Sequence, residues 1–407
     1  MKSNAPIDEA ATAGKAHERR FALAQGDAPA HGVIPHGGAL DEAERRWPNA
    51  PQPWIDLSTG INPVAYPLPA IGAGAWTRLP LASEERALRQ AAAARYGAMS
   101  ADNVVAAPGT QALIQILPRL VASSRQPPQG AGETDIADPS GARSWVAVLS
   151  PTYAEHAAAW RREGHDVREV TSLAEAQGAA AVIIVNPNNP TGRLIASDTL
   201  AEWATSLARR GGLLVVDEAF ADVVDTNASL VRRLPPSTIV LRSFGKMYGL
   251  AGVRLGFAIA EPALAARLVG MLGPWAVSGP ALAIGTAALD DSAWLEAARA
   301  RLAADAARLD ALLVRAGCVI AGGTPLYRLA VWAPDRPQCE SVPSRTNETI
   351  PAQGRANAET DTALALANRL GEHGILVRRF AYERSWLRFG IPGSEEAWQR
   401  LENALCT

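Results

Sequence analysis

The chain has little cysteine. Cys318, Cys339 and Cys406 stand far apart, so neither a disulfide framework nor a metal-spaced thiol cluster is available, and no bound metal is expected. Long hydrophobic runs are missing too: no apolar stretch reaches the roughly 18 residues that a membrane helix requires. An excess of one charge sign is also lacking. The 39 Lys and Arg against 41 Asp and Glu leave a formal net charge of -2, with no basic stripe of the kind nucleic-acid binding needs. A small molecule is therefore the expected partner, rather than nucleic acid or a membrane. The amino terminus carries Lys2, Asp8 and Glu9 without an apolar core, which argues against a secretory signal and points to the cytoplasm.

The 407 residues, 48% of them hydrophobic, suit a large domain and a smaller one. Residues 1–30 are rich in Ala, Gly and charge without an apolar period and read as a disordered tail. Residues 123–143 and 337–359 are dense in polar, Pro and Gly residues and read as flexible surface insertions. Between them, short apolar runs alternate with Ala-rich amphipathic segments, the pattern of strands and crossover helices in a mostly parallel sheet. The strands are expected at 104–107, 145–149, 182–185, 213–216, 239–241 and 256–260. Continuous apolar runs fit strands covered on both faces. After about Pro280 the pattern changes to long Ala/Leu/Arg helices and further strands at 326–331, 375–378 and 386–391, which mark a second, α+β domain.

In such a sheet ligands sit beyond the carboxyl ends of the strands, and four of these ends carry unusual groups. Pro108-Gly109-Thr110-Gln111 opens an apolar helix, where free backbone N–H groups can hold a phosphate; alone it reads more often as a plain helix cap. Asn186-Pro187-Asn188-Asn189-Pro190-Thr191-Gly192 presents side-chain amides at a turn fixed by two prolines. Asp217-Glu218-Ala219-Phe220 puts a carboxylate where a buried strand ends, as a ligand group or a helix cap. Arg242-Ser243-Phe244-Gly245-Lys246, with Arg254 eight residues on, joins an amine to groups that suit a dianionic phosphate. A lysine in apolar surroundings has the depressed pKa that an imine-forming amine needs.

Taken in order, these pieces resemble the fold-type I aminotransferase superfamily of pyridoxal 5'-phosphate enzymes, over roughly residue 36 to the carboxyl terminus. The resemblance implies the corresponding α/β fold: an arm at residues 31–75 packing on the small domain, a large cofactor-binding domain at 76–275 and a small carboxyl-terminal domain at 276–407. It also implies a homodimer. By the same resemblance, Lys246 carries the cofactor as a Schiff base and shuttles protons. Asp217 would face the ring nitrogen, Asn189 the ring oxygen, and Tyr153 in Ser150-Pro151-Thr152-Tyr153 would stack on the ring, where it otherwise reads as core packing. Gly109, Thr110, Gln111, Ser243 and Arg254 would hold the cofactor phosphate end. Arg388, in Trp386-Leu387-Arg388-Phe389-Gly390, resembles the arginine that grips the substrate carboxylate, a task suited to a planar fork.

Within the superfamily the chain is similar to the histidinol-phosphate aminotransferase branch and, inside it, to the threonine-phosphate decarboxylases of cobalamin biosynthesis. His36-Gly37-Gly38-Ala39-Leu40, Asp56-Leu57-Ser58-Thr59-Gly60-Ile61-Asn62-Pro63, Phe220 in place of a tyrosine, and Gly273-Pro274-Trp275-Ala276-Val277-Ser278 carry this likeness. Arg78-Leu79-Pro80 departs from the branch, standing where a Tyr-Pro-Asp segment normally reaches the neighbouring subunit. The implied reaction is decarboxylation of L-threonine O-3-phosphate to (R)-1-amino-2-propanol O-2-phosphate, with Arg388 and Asn62 on the carboxylate and His36 with Arg378 or Arg379 on the substrate phosphate. The alternatives are a histidinol-phosphate-type aminotransferase and a cofactor-bearing module without catalysis, whose expected damage at Lys246, Asp217 or Asn189 is not seen. A dinucleotide-binding enzyme ranks last, since no G-x-G-x-x-G follows a first strand.

Overall fold

The computed structural model describes residues 36–121, 145–224, 228–332 and 362–406. The expected tail, both expected insertions and Cys339 lie outside these residues. The strands in chain order are β1 (Ile55–Asp56), β2 (Val104–Ala107), β3 (Trp145–Leu149), β4 (Asp166–Val170), β5 (Ala181–Val185), β6 (Leu213–Asp217), β7 (Thr238–Ser243), β8 (Gly256–Ile259), β9 (Cys318–Thr324), β10 (Tyr327–Trp332), β11 (Ile375–Leu376), β12 (Arg378–Arg379) and β13 (Trp386–Gly390).

Seven of them form one sheet in the order β2-β8-β7-β6-β5-β3-β4. Strands β3 to β7 pair in parallel, while β8 runs antiparallel to both of its neighbours. Every residue of β2, β5, β6, β7 and β8 is buried, so alternate side chains feed two separate cores. Val182 and Ile184 join one, while Ala181 and Ile183 join the other. Each such buried Val, Leu or Ile contributes about 1.5–3 kcal/mol relative to exposure. The edge strand β4 was not evident from sequence. Its Asp166-Val167-Arg168-Glu169-Val170 carries exposed charges, Arg168 pairs with Asp166 and lies over the Trp145 ring, and such charges protect an exposed sheet edge from pairing with another chain.

A second, antiparallel sheet has the order β12-β13-β10-β9, with the helix Ser292–Arg315 packed against β9 and β10. The single strand expected over 375–378 is corrected to two. Ile375 and Leu376 pair with β1 of the amino-terminal segment, whereas Arg378 and Arg379 pair with β13, so the chain changes partner at Val377. The segment holding β1 is tied further to the carboxyl-terminal region by Arg46 Nη2 donating to Asn368 Oδ1 at 2.9 Å and Gly390 N donating to Leu57 O at 2.6 Å.

The two sheets meet backbone to backbone at the Asn186–Gly192 turn. Gly323 N donates to Thr191 O at 3.0 Å. A Cβ on Gly192, whose φ is +71°, would fall 2.0 Å from Gly323 O. Only glycine permits that approach, and it sets the end of β5 against the β9-β10 hairpin.

Candidate active site

The carboxyl ends of β2, β3, β5, β6 and β7 open onto one cavity of about 280 Å³. Because β8 runs the other way, the residues that precede it reach the same edge. Gly256 stands beside Ala107 in register, which brings Arg254 to Gly109. Gly109 adopts φ +84° before the helix Thr110–Ile116, and a Cβ there would sit 2.9 Å from Arg254 Nη2. Glycine thus leaves room for the guanidinium beside the helix's free N–H groups, an arrangement suited to a phosphate. Thr110, Gln111 and Ser243 line the same end.

Asp217 ends β6 and is buried. Its Oδ1 accepts from Ala219 N at 3.0 Å and its Oδ2 from His156 Nε2 at 2.9 Å. The fully buried His156 is a residue that sequence reasoning missed. Tyr153 lies before the helix Glu155–Arg162 that holds His156, so helical spacing did not link the two. Lys246 lies in the short helix Phe244–Met247, with Nζ 5.6 Å from the centre of the Phe220 ring. Burial, helped by the Arg388 guanidinium and partly offset by Asp217, lowers its amine to about 8, the direction an imine-forming lysine needs. Phe220 packs edge-on against Tyr327 with ring centres 4.9 Å apart.

Tyr153 stands on the cavity wall and its hydroxyl donates to Gln111 Oε1 at 3.1 Å. Burial pushes its phenol up to about 12, so it offers a neutral aromatic face. Asn189 also lines the cavity, its Oδ1 accepting from Arg388 Nη1, which leaves the amide N–H₂ as its donor toward a ligand. Arg388 is buried, and its Nη2 donates to Ser58 O. Burial lowers its pKa to about 10.

Across from the strand ends, the antiparallel sheet supplies Arg378 and Arg388 to the cavity, and the connection between β12 and β13 supplies Phe380 and Tyr382. Arg378 and Arg388 are direct partners in the β12-β13 register, so both side chains stand on one face of the sheet. Like charges placed so destabilise a strand pair. Burial lowers the pKa of Arg378 too.

Two expectations need adjustment. Asn62 does not line the cavity: it is buried, with Nδ2 donating to Met247 O at 2.8 Å and Oδ1 accepting from Val64 N at 3.1 Å. It ties the amino-terminal segment to the backbone around Lys246 and has no face toward a substrate carboxylate. His36 lines the cavity mouth, but its Nε2 meets a carboxylate, Glu155 Oε1, at 3.0 Å. Arg78 turns to Glu84, while Leu79 beside it is exposed. Among the described residues no group of three or more His, Cys, Asp or Glu is placed to hold a metal ion, and no helix is long and apolar enough to cross a membrane.

The residues present fit pyridoxal phosphate: an amine with a lowered pKa, a buried braced carboxylate at a strand end, and a glycine-opened phosphate cup beside an arginine. Comparison with known proteins agrees with this geometry. Residues 73–405 match the family described as aminotransferase class I and II. A threonine-phosphate decarboxylase of Pseudomonas aeruginosa is 41% identical over 377 residues, covering 92% of this chain and 97% of that protein. Another of that name from Sinorhizobium sp. is 38% identical, covering 91% and 97%. The crystal structure of histidinol-phosphate aminotransferase from Sinorhizobium meliloti in complex with pyridoxal-5'-phosphate superposes with a TM-score of 0.70 at 21% identity, over 93% of this chain and 96% of that one.

Proposed function

The chain belongs to the class I and II aminotransferase family, and from that premise we propose that it is a pyridoxal-phosphate lyase that decarboxylates L-threonine O-3-phosphate to (R)-1-amino-2-propanol O-2-phosphate in cobalamin biosynthesis. The observation that carries this reading is the cross-strand pair Arg378 and Arg388 on the cavity wall. Two guanidiniums lining one cavity suit a substrate with two anionic groups, and phosphothreonine brings a carboxylate and a phosphate. The names of the relatives at 41% and 38% identity support the same substrate.

In this reading Lys246 holds the cofactor, Asp217 faces the ring nitrogen, Asn189 the ring oxygen and Tyr153 the ring face, while Gly109, Thr110, Gln111, Ser243 and Arg254 hold the phosphate end. When bound, the cofactor supplies an electron sink for the pair released at Cα. His156 braces Asp217 through Oδ2. Arg388 holds the substrate carboxylate, and Arg378 with His36 holds the substrate phosphate. Carbon dioxide leaves from Cα, and Lys246 Nζ, with its lowered pKa, returns a proton to the same carbon.

The enzyme is read as a cytoplasmic homodimer acting on a small phosphorylated amino acid. Exposed Trp76, Leu79, Leu81 and Trp275 support a second copy, since large apolar residues clustered at a surface mark interaction sites. The test of the reaction is product analysis on purified holoenzyme given O-phosphothreonine. Carbon dioxide and aminopropanol phosphate in equal amounts, with no 2-oxo acid added, are expected; turnover that depends on an amino donor and a 2-oxo acid would establish the aminotransferase instead.

A further inference from the structure

Glu155 opens the helix Glu155–Arg162 and does not itself line the cavity, yet three donors converge on its carboxylate. His36 Nε2 lies 3.0 Å from Oε1. Gln111 Nε2 and Gln115 Nε2 donate to Oε2 at 2.8 and 3.3 Å. Gln111 in turn accepts from the Tyr153 hydroxyl, and the His36 ring lies 6.1 Å from that of Tyr153. The Glu155 side chain is 11% exposed, the His36 side chain 46%, so the carboxylate is the fixed partner and the imidazole the one being held.

A buried carboxylate beside a cavity that binds phosphates works against anion binding unless something offsets it. Here its charge is spent on orienting neighbours. The next residues are also anchored: Gly38 N donates to Ser58 Oγ at 2.7 Å, and Ser58 O accepts from Arg388. The amino-terminal segment is thus pinned to the carboxylate-binding arginine on one side and to Glu155 on the other. With Nε2 directed at Glu155, Nδ1 is the ring nitrogen that remains for a ligand; an imidazolium donates from both.

We propose that Glu155 is a positioning residue that seats His36 over the phosphate end of the substrate, opposite Arg378. This rests on the decarboxylase reading. The test is a kinetic cycle on holoenzyme with Glu155→Gln, His36→Ala and the double variant. Glu155→Gln keeps an acceptor for Gln111 but loses the charge that holds the ring. It is expected to raise KM for O-phosphothreonine about tenfold, the size of one charge-assisted hydrogen bond, with kcat within about twofold and the cofactor absorbance unchanged. The double variant should be no worse than His36→Ala, because both changes remove one contact. Factors that multiply, or a Glu155→Gln loss that is equal for unphosphorylated L-threonine, would overturn the proposal. Calorimetric titration of the same four proteins with inorganic phosphate repeats the comparison without turnover. Wild-type protein that releases no carbon dioxide would overturn the decarboxylase reading, whereas a working wild type with independent variants would overturn only the role of Glu155.

Discussion

The two walls of the cavity are built on opposite electrostatic plans. The wall made by the seven-stranded sheet is balanced locally: Asp217 is braced by His156 and a backbone N–H, and Glu155 is met by three donors. The wall that includes the antiparallel sheet is cationic: β12 and β13 place Arg378 and Arg388 side by side, and the pKa of each is lowered by burial. A self-satisfied wall suits a cofactor that stays, and a cationic one suits a dianion that comes and goes. In the proposed reading, one sheet would bind the cofactor and the other would read the substrate.

Breaking the first wall should cost most. Lys246→Ala is expected to lower turnover by on the order of 10⁴ and to abolish the absorbance of lysine-bound cofactor, as a spectrum of the reconstituted protein would record. On the second wall, Arg388→Ala should reduce kcat/KM by roughly 10² to 10³, the cost of removing one partner of a buried charge contact. Arg378→Ala should raise KM for O-phosphothreonine by about 10- to 100-fold while leaving cofactor affinity intact, measured by equilibrium dialysis of the cofactor.

The pH dependence concerns only the first wall. With the Lys246 amine lowered to about 8, the nucleophilic neutral form is lost as pH falls through that value. Reaction of apoprotein with the cofactor aldehyde should therefore slow by about tenfold per unit below it, followed by stopped-flow absorbance. A normal lysine would show that slowing over the whole range up to about pH 10.4.

The first wall was largely legible in the sequence because strand ends in a parallel sheet are marked by apolar runs that stop abruptly: Val185 before Asn186, Val216 before Asp217 and Leu241 before Arg242 gave the positions of Asn189, Asp217 and Lys246. The second wall was legible only in part. Arg388 was recognisable within Trp386-Leu387-Arg388-Phe389-Gly390, but its register opposite Arg378 depends on the partner change at Val377, which no local pattern announces. Phe380 and Tyr382 sit in a short connection without periodicity, so their place on the cavity was out of reach. Asn62 was misplaced for a related reason: a polar residue beside a site looks the same in sequence whether it faces a ligand or, as here, a backbone carbonyl. His156 and Glu155 act through other side chains, and contacts between distant segments are not written in local spacing.

The most direct test of the two-wall account compares kcat/KM for O-phospho-L-threonine with that for L-threonine, in wild type and in Arg378→Ala. The account expects a preference for the phosphorylated substrate of about 10³ or more in wild type, collapsing by at least about tenfold in the variant. A wild-type preference near unity, or one that Arg378→Ala leaves untouched, would contradict it.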